Sequence, residues 1–319
     1  MDAFLTDISA LQLWFTDQPV IRSAKPLMHV PTFADASVTR AELPWTELDA
    51  LGLRRPYHLA VHDPTRRRSS RNIICHVFRN PPPNSFVRIS HSVYAEAPIP
   101  TLIKAASLLP TGALMRLMYQ LLGTYQLKQG EIIGRKPLAT ITELASYLRR
   151  AYRINGLEPV RALLPYAIQH IASPEEARLA ALLFLPARHG GQGFPLAEAN
   201  ARIELNGTET GVRFADLLWR LWRLILEYDS DRFHTGAEKI GQDSARRTQL
   251  QAAGYQVVTM TRHQLHDPAA FRDVVRTLRR FMGDAAPCAN ELPPRAFTQP
   301  ELELRRELYG FDIERALGL

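Results

Sequence analysis

The sequence predicts an α/β protein built in two modules. A basic mixed α/β module is expected over residues 1–165. A second domain follows over 166–285 with the order α, β, β, β, α, β, α, and then a Pro-rich linker with a short C-terminal helix over 286–319. Three observations carry this. The chain has 319 residues, too many for one ordinary core when domains run to roughly 100–200 residues. In its second half the apolar spacing switches between the helical and the strand period at recognisable turn signals. Two late strand candidates there are separated by a helix-compatible stretch, which makes a crossover unit with parallel strands.

The first module is read from short β-like runs at Tyr57 to Val61, Ile73 to Phe78 and Ser85 to Ile89, set between Arg-rich and Pro-rich turns. From Ile99 to Leu127 the spacing becomes helical. Leu102, Ala105, Ala106 and Leu109 form one apolar stripe and Leu114, Leu117, Met118, Leu121 and Leu122 another, around a break at Pro110 to Gly112. Ile141 to Tyr152 suggests a further helix, and Asn155, Gly156 and Pro159 mark a boundary region.

The second domain opens on Ser173-Pro174-Glu175-Glu176: serine as N-cap, proline at the first helical position and glutamate at the third. A Gly-rich turn, His189 to Gly193, is expected to be flexible. Strands are expected at Ala201 to Leu205, Val212 to Leu218 and Leu221 to Asp229, with Asn206-Gly207 as a hairpin signal between the first two. A polar helix over Ala237 to Ala253 closes at Gly254, where a left-handed residue is wanted. Tyr255 to Met260 is then a strand, and Phe271 to Met282 a helix with Val274, Val275, Leu278 and Phe281 as its buried stripe. Beyond Gly283, Pro287, Pro293, Pro294 and Pro300 resist regular structure, and the short helix around Leu302 to Leu308 is expected to be an appendage.

Composition narrows the function classes. A hydrophobic fraction of 46% with 22% charged residues fits a folded globular protein rather than a disordered one. Only Cys75 and Cys288 occur, without the paired spacing of zinc sites or disulfide frameworks, so reduced thiols in a cytoplasm are expected. No basic leader with an apolar run opens the chain, and no apolar stretch approaches the ~18 residues of a membrane span. The net charge is +7, and Arg54 to Arg79 holds seven arginines against Asp63 alone, a local balance of +6. Arginine forks suit phosphate, so Arg66, Arg67 and Arg68 are candidate nucleic-acid contacts; a solvated basic loop is the other reading.

The chemistry concentrates in Leu224-Ile225-Leu226-Glu227-Tyr228-Asp229. Side chains alternate along a strand, so Glu227 and Asp229 share one face. Like charges at neighbouring same-face positions are unfavourable unless solvent or a cation relieves them. Asp216 lies on the preceding strand, and antiparallel pairing would bring it beside the other two. Three hard oxygen donors suit Mg²⁺ or Mn²⁺, which can activate water and neutralise charge on phosphorus.

Asp216, ten intervening residues, then Glu227-Tyr228-Asp229, preceded by Ser173 to Glu176 and followed by Asp243-Ser244-Ala245-Arg246 and Leu250 to Val258, resembles the endonuclease-like domains related to very-short-patch repair enzymes. These belong to the PD-(D/E)xK superfamily, whose restriction-endonuclease-like fold has the αβββαβα order. The resemblance covers residues 173 to 282. More broadly, the chain is similar to actinobacterial proteins that join such a domain to an N-terminal region likened to antitoxins of the AbiEi type. The resemblance implies Asp216 and Glu227 as metal ligands, with Asp229 where many members have lysine. That departure shifts water activation to the metal, to Asp229 or to His234, or leaves the site inactive. Ser230 is a second departure, at a position where relatives have glycine. Arg246 and Arg247 would be phosphate contacts by resemblance, or simply part of a polar helix face. Glu176 is an additional acid of the site or, as the third residue of a capping box, only a cap.

Other constellations are missing: no Gly-x-Ser-x-Gly elbow accompanies His189 to Gly193, and no P-loop or dinucleotide fingerprint occurs. Trp219 and Trp222 are read as packing residues, with base stacking as the alternative. The expected function is a Mg²⁺- or Mn²⁺-dependent endonuclease, with DNA as the expected substrate. The alternative is an inactive nuclease fold acting as a nucleic-acid-binding regulator, or as an antitoxin-like or phage-defence interaction protein. The arginine-rich loop offers a first test. Replacing Arg66, Arg67 and Arg68 together is expected to weaken DNA binding and flatten its salt dependence, each lost phosphate contact removing roughly 0.9 from the logarithmic slope. An unchanged slope in a binding titration marks the loop as a solvated surface.

Overall fold

The structure, a computed structural model, describes residues 1–15, 24–39, 41–128, 131–205, 211–229, 237–283, 297–312 and 315. The chain divides into two compact units: one of Met1–Leu121, Tyr125–Pro165 and Phe311–Leu319, the other of Leu122–Thr124 and Tyr166–Gly310. Both mix helices and strands. Among the described residues no helix is long and apolar enough to cross a membrane.

The first unit is organised by a six-stranded sheet. Its strands are β1 (Ala3–Leu5), β2 (Pro26–Leu27), β3 (Tyr57–Val61), β4 (Ile73–Val77), β5 (Phe86–Arg88) and β6 (Val93–Glu96), in the order β2-β5-β6-β1-β3-β4. Strand β3 is buried along its whole length, so its apolar residues do not alternate with exposed polar ones, and its histidine, His58, is buried as well. Around the sheet lie α1 (Asp7–Phe15), α2 (Trp45–Ala50), α3 (Pro98–Ala106) and α4 (Thr111–Leu122), then a hairpin of β7 (Tyr125–Lys128) and β8 (Glu131–Gly134), and α5 (Ile141–Arg150) and α6 (Leu157–Leu163). The apolar stripes at 102–122 are buried as their spacing requires, except for Leu109, which is half-buried. The N-terminal strand and helix were not foreseen: β1 is three residues long, too short to show a period, and gains its place by pairing with β6 on one side and β3 on the other. Cys75 is buried in this core, and burial pushes its thiol pKa up; Cys288 lies outside the described residues.

A polar knot closes one end of that sheet. Glu96, fully buried, takes an ion pair from Lys104 and a backbone bond from Asp7 at 3.3 Å. Lys104 also donates to Thr6 at 2.7 Å and stands 4.2 Å over the Phe78 ring. The Asp7 carboxylate is 3.6 Å from His76, whose Nε2 lies 3.0 Å from His58 Nδ1. Burial pushes the Glu96 pKa up. At Asp7 burial acts the same way, but Lys104 and His76 outweigh it and hold the group below its usual range.

In the second unit α7 (Pro174–Phe184) leads to β9 (Glu198–Glu204), β10 (Val212–Trp219), β11 (Leu224–Asp229), α8 (Ala237–Ala252), β12 (Gln256–Thr261), a short α9 (Arg262–His266), α10 (Pro268–Met282) and α11 (Gln299–Gly310). The sheet order is β12-β11-β10-β9; β9, β10 and β11 are antiparallel neighbours, and β12 runs parallel to β11 as the α8 crossover demands. Strand β11 begins at Leu224 rather than Leu221, because Arg220–Trp222 forms a 3-10 turn that ends on Arg223 in the left-handed region, φ +47°. Arg223 then ties down the end of α8, donating to the carbonyls of Ala253 and Gly254. Helix α10 starts before Phe271 because Asp267 caps it, accepting from Ala270 N at 2.7 Å, with Pro268 in its first turn.

Three expectations are corrected. Phe281 is exposed, and Met282 takes its place beside Val274, Val275 and Leu278 on the buried face of α10. Helix α11 is not an appendage: Leu304 and Leu308 are buried, Glu301 pairs with Arg272 at 3.1 Å and accepts from Gln192 at 3.1 Å, and Arg178 donates to the Leu308 carbonyl at 3.1 Å. Pro300 lies within this helix; Pro287, Pro293 and Pro294 fall outside the described residues. The Gly-rich turn is not a slack one either. A Cβ on Gly190 would lie 2.1 Å from the Pro300 carbonyl oxygen, and one on Gly191 2.0 Å from that of Leu185. Glycine is there because backbones meet. The Asn206-Gly207 signal lies outside the described residues.

The buried ion pair of the first unit yields a stability prediction. Lys104→Met strands the Glu96 charge and should destabilise by about 3–5 kcal/mol, whereas Lys104→Met with Glu96→Gln should recover most of that loss. Denaturant unfolding of both variants checks it: a double variant as unstable as the single one would show that packing around Lys104, not the charge, matters.

Candidate active site

The β-ladder of the second unit places the acids. Ala215 pairs with Ala201 and Leu217 with Ala199, so Asp216 stands level with Asn200 of β9; Leu217 also pairs with Leu226, so Asp216 stands level with Glu227 of β11. Glu227 is in turn in register with Thr259 of β12. A row of Asn200, Asp216, Glu227 and Thr259 therefore crosses the sheet. The Asp216 carboxylate turns to accept the backbone N–H of Tyr228 at 2.7 Å.

Helix α7 adds a third carboxylate. Ser173 Oγ accepts from Glu176 N at 3.1 Å, the bond expected of an N-cap. The Glu176 side chain reaches back, accepting from Ser173 Oγ and from Ala172 N, each at 2.9 Å. It also accepts from Asn200 Nδ2 at 2.9 Å, and it feels the charge of Asp216. The two readings of Glu176 thus coexist in one side chain, which caps its helix and borders the other acids.

Burial dominates the electrostatics of all three. It lifts Glu176 to about 6, with Asp216 contributing, and Glu227 to about 7, again with Asp216 contributing and with Arg246 opposing. It also raises Asp216, against the Tyr228 N–H and Arg246. Arg246, on α8, answers this excess of negative charge. Its Nη2 lies 3.1 and 3.0 Å from the two Glu227 oxygens and also donates to the Phe214 carbonyl. Arg247 donates to Thr259 Oγ1. Glu227, Tyr228, Asp229, Arg246, Arg247 and Thr259 border an open cleft.

Of the three predicted ligands, the register sets Asp216 level with Glu227, and Asp229 borders the same cleft as Glu227 two residues along β11. Asp229 is exposed at the end of β11, and the third acid beside Asp216 and Glu227 is Glu176. Among the described residues no three His, Cys, Asp or Glu side chains are set to hold a metal ion as they stand. Glu227 is engaged by Arg246, and Glu176 by its cap and Asn200. The donor chemistry nonetheless suits a hard divalent cation, because buried carboxylates crowded by one another need compensating charge. His234 and Ser230 lie outside the described residues.

Asn200 was missed by sequence reasoning. It sits inside β9 at φ +48°, a left-handed conformation that asparagine tolerates better than most residues, and its amide bridges the His170 carbonyl and Glu176. The available signal was an asparagine between Ala199 and Ala201 in a strand-like run. The tryptophans are packing residues in this structure: Trp219 N–H donates to the Pro195 carbonyl at 2.7 Å and Trp222 N–H to that of Met282 at 3.0 Å. In the first unit the arginine loop is largely self-engaged. Arg66 lies 3.7 Å from Asp35, Arg67 donates to the Cys75 carbonyl at 3.1 Å, and Arg68 donates to those of Thr65 and Arg67 at 2.8 and 2.9 Å.

No family model, curated protein or solved structure matches the chain.

Glu227 gives a pH prediction. A carboxyl whose folded pKa is raised binds more protons folded than unfolded, so stability falls as pH rises between its ordinary 4.5 and about 7, and stays lowered above. Glu227→Gln should flatten that fall, by on the order of 3 kcal/mol across the window. Thermal unfolding at a series of pH values checks this, and parallel profiles for the two proteins would count against it.

Proposed function

We propose that the second unit is a restriction-endonuclease-like domain of the PD-(D/E)xK kind that hydrolyses nucleic-acid phosphodiester bonds with a divalent cation, DNA being the expected substrate. The observation that carries the proposal is the row of Asn200, Asp216 and Glu227 across adjacent strands, with Glu176 brought in from α7. Structure for its own sake does not call for this. Crowding three carboxylates into a partly buried site and holding an asparagine in a left-handed conformation inside a strand both cost stability, and such costs gather at functional sites.

Asp216 and Glu227 are the residues that would hold Mg²⁺ or Mn²⁺, with Glu176 beside them. When bound, such an ion supplies Lewis acidity at the phosphoryl oxygens and lowers the pKa of a coordinated water. The chain's own groups do the rest. The Tyr228 N–H orients the Asp216 carboxylate, and the Asn200 amide orients Glu176. Arg246 and Arg247, at the cleft, present guanidinium forks suited to phosphate oxygens. Asp229 stands at the exposed end of β11, where by resemblance the superfamily's lysine would be.

A second reading is favoured by one observation, the Arg246–Glu227 ion pair. A fold that had lost its catalysis could keep an arginine there permanently, leaving a nucleic-acid-binding regulator. Cleavage of single- and double-stranded DNA with and without Mg²⁺ or Mn²⁺ separates the two. The nuclease reading expects metal-dependent cleavage that Asp216→Asn lowers by about 100-fold or more, the scale of the several kcal/mol an ion contributes. The variant should remain folded, because its amide oxygen can still accept from Tyr228 N. Metal-independent binding without cleavage in the wild type supports the regulator.

A further inference from the structure

The contact that speaks against an open metal site also suggests how one would open. Arg246 spans both oxygens of Glu227, at 3.0 and 3.1 Å, and its described bonds all run through Nη2. The pair is not sealed: the Arg246 side chain is 39% exposed and Glu227 17%, at the border of the cleft that Arg247 also lines. A half-exposed ion pair is held weakly, since water screens the attraction and both side chains give up freedom to form it. A nucleic-acid backbone offers the same guanidinium a denser set of anionic oxygens in a geometry it matches bidentately.

The consequence for the acids is specific. With Arg246 in place, Glu227 is satisfied and the excess charge of the cluster is reduced. With Arg246 withdrawn, Glu227 faces Asp216 and Glu176 with only the weaker influence of Arg247 to offset them, and a divalent ion is the natural replacement. We propose that the Arg246–Glu227 pair is a latch that keeps the acid cluster closed to divalent cations until a nucleic-acid phosphate draws Arg246 away. This rests on the nuclease reading and adds regulation to it: metal and nucleic acid bind with positive coupling, and by reciprocity each tightens the other. The metal-loaded form then exists chiefly on substrate.

The experiment is a Mn²⁺ titration of the full chain, read as free Mn²⁺ by electron paramagnetic resonance, with and without a short DNA duplex. Binding to the duplex alone is subtracted. In the wild type the duplex should tighten Mn²⁺ binding by about 10-fold or more, within the usual range of coupling between sites. Arg246→Gln should bind Mn²⁺ without DNA about as tightly as the wild type does with it, and gain little more when DNA is added. Arg246→Lys keeps the charge on a flexible stem without the fork and should fall between them, which also covers the case of a poorly folded Arg246→Gln. Asp216→Asn should lose the tight binding in every arm. Equal Mn²⁺ affinity in the wild type with and without DNA overturns the latch and leaves the nuclease reading standing. So does an Arg246→Gln variant that binds no tighter. Folded wild type and Arg246→Gln that take up no Mn²⁺ in either arm overturn both.

Discussion

Like charges cannot be gathered out of water without compensation, and the second unit is arranged around that constraint. Glu176, Asp216 and Glu227 come from three separate elements, and each is met by a different donor: an N-cap with an asparagine amide, a backbone N–H, and an arginine. The sheet register sets Asp216 level with Glu227, the crossover helix delivers Arg246, and the capped end of α7 delivers Glu176. Removing any one donor leaves a carboxylate in the field of the others with less to offset it. The site is therefore stable as it stands, yet sensitive to whatever competes for the same donors.

The first unit solves the same problem differently. Its buried Glu96 is met by Lys104, which is itself held by Thr6 and the Phe78 ring, while Asp7, His76 and His58 extend the network along one end of the sheet. Here one lysine stands between the two carboxylates of Glu96 and Asp7, so the network consolidates the fold around a cation the chain itself supplies. The first unit contains the denser run of arginines, but Arg67 and Arg68 are engaged by backbone carbonyls of that same stretch. Arginines that bond to their own loop are already partly occupied.

Much of the second unit was legible in the sequence because its signals are local. Ser173-Pro174-Glu175-Glu176 announces a helix start, Gly254 a helix end, and the alternation in β11 puts its acids on one face. Asp216 and Glu227 could be brought together by pattern alone, since antiparallel neighbours joined by a short turn leave few registers. What was not legible depends on the third dimension. Pattern favoured Asp229 over Glu176 because Asp229 is adjacent in sequence, but proximity to the other acids is decided by where α7 packs. Asn200 carries its meaning in a backbone angle, and α11 in contacts to residues far along the chain. In the first unit the sheet was only partly visible because β1 and β2 are too short to show a period and pair with distant strands.

The close approach of Gly190 to the Pro300 backbone has a practical corollary for dissecting this protein. Domain borders drawn from sequence would cut shortly after the closing helix α10, at residue 285, and discard the rest as a tail. Such a fragment would lose the partner that Gly190, Arg272 and Gln192 are shaped to meet, exposing apolar surface and a buried arginine at once. Grafting the domain into another protein, or expressing it alone, therefore requires carrying α11 along; its attachment is part of the architecture, and deletion series that ignore it will mistake misfolding for loss of function.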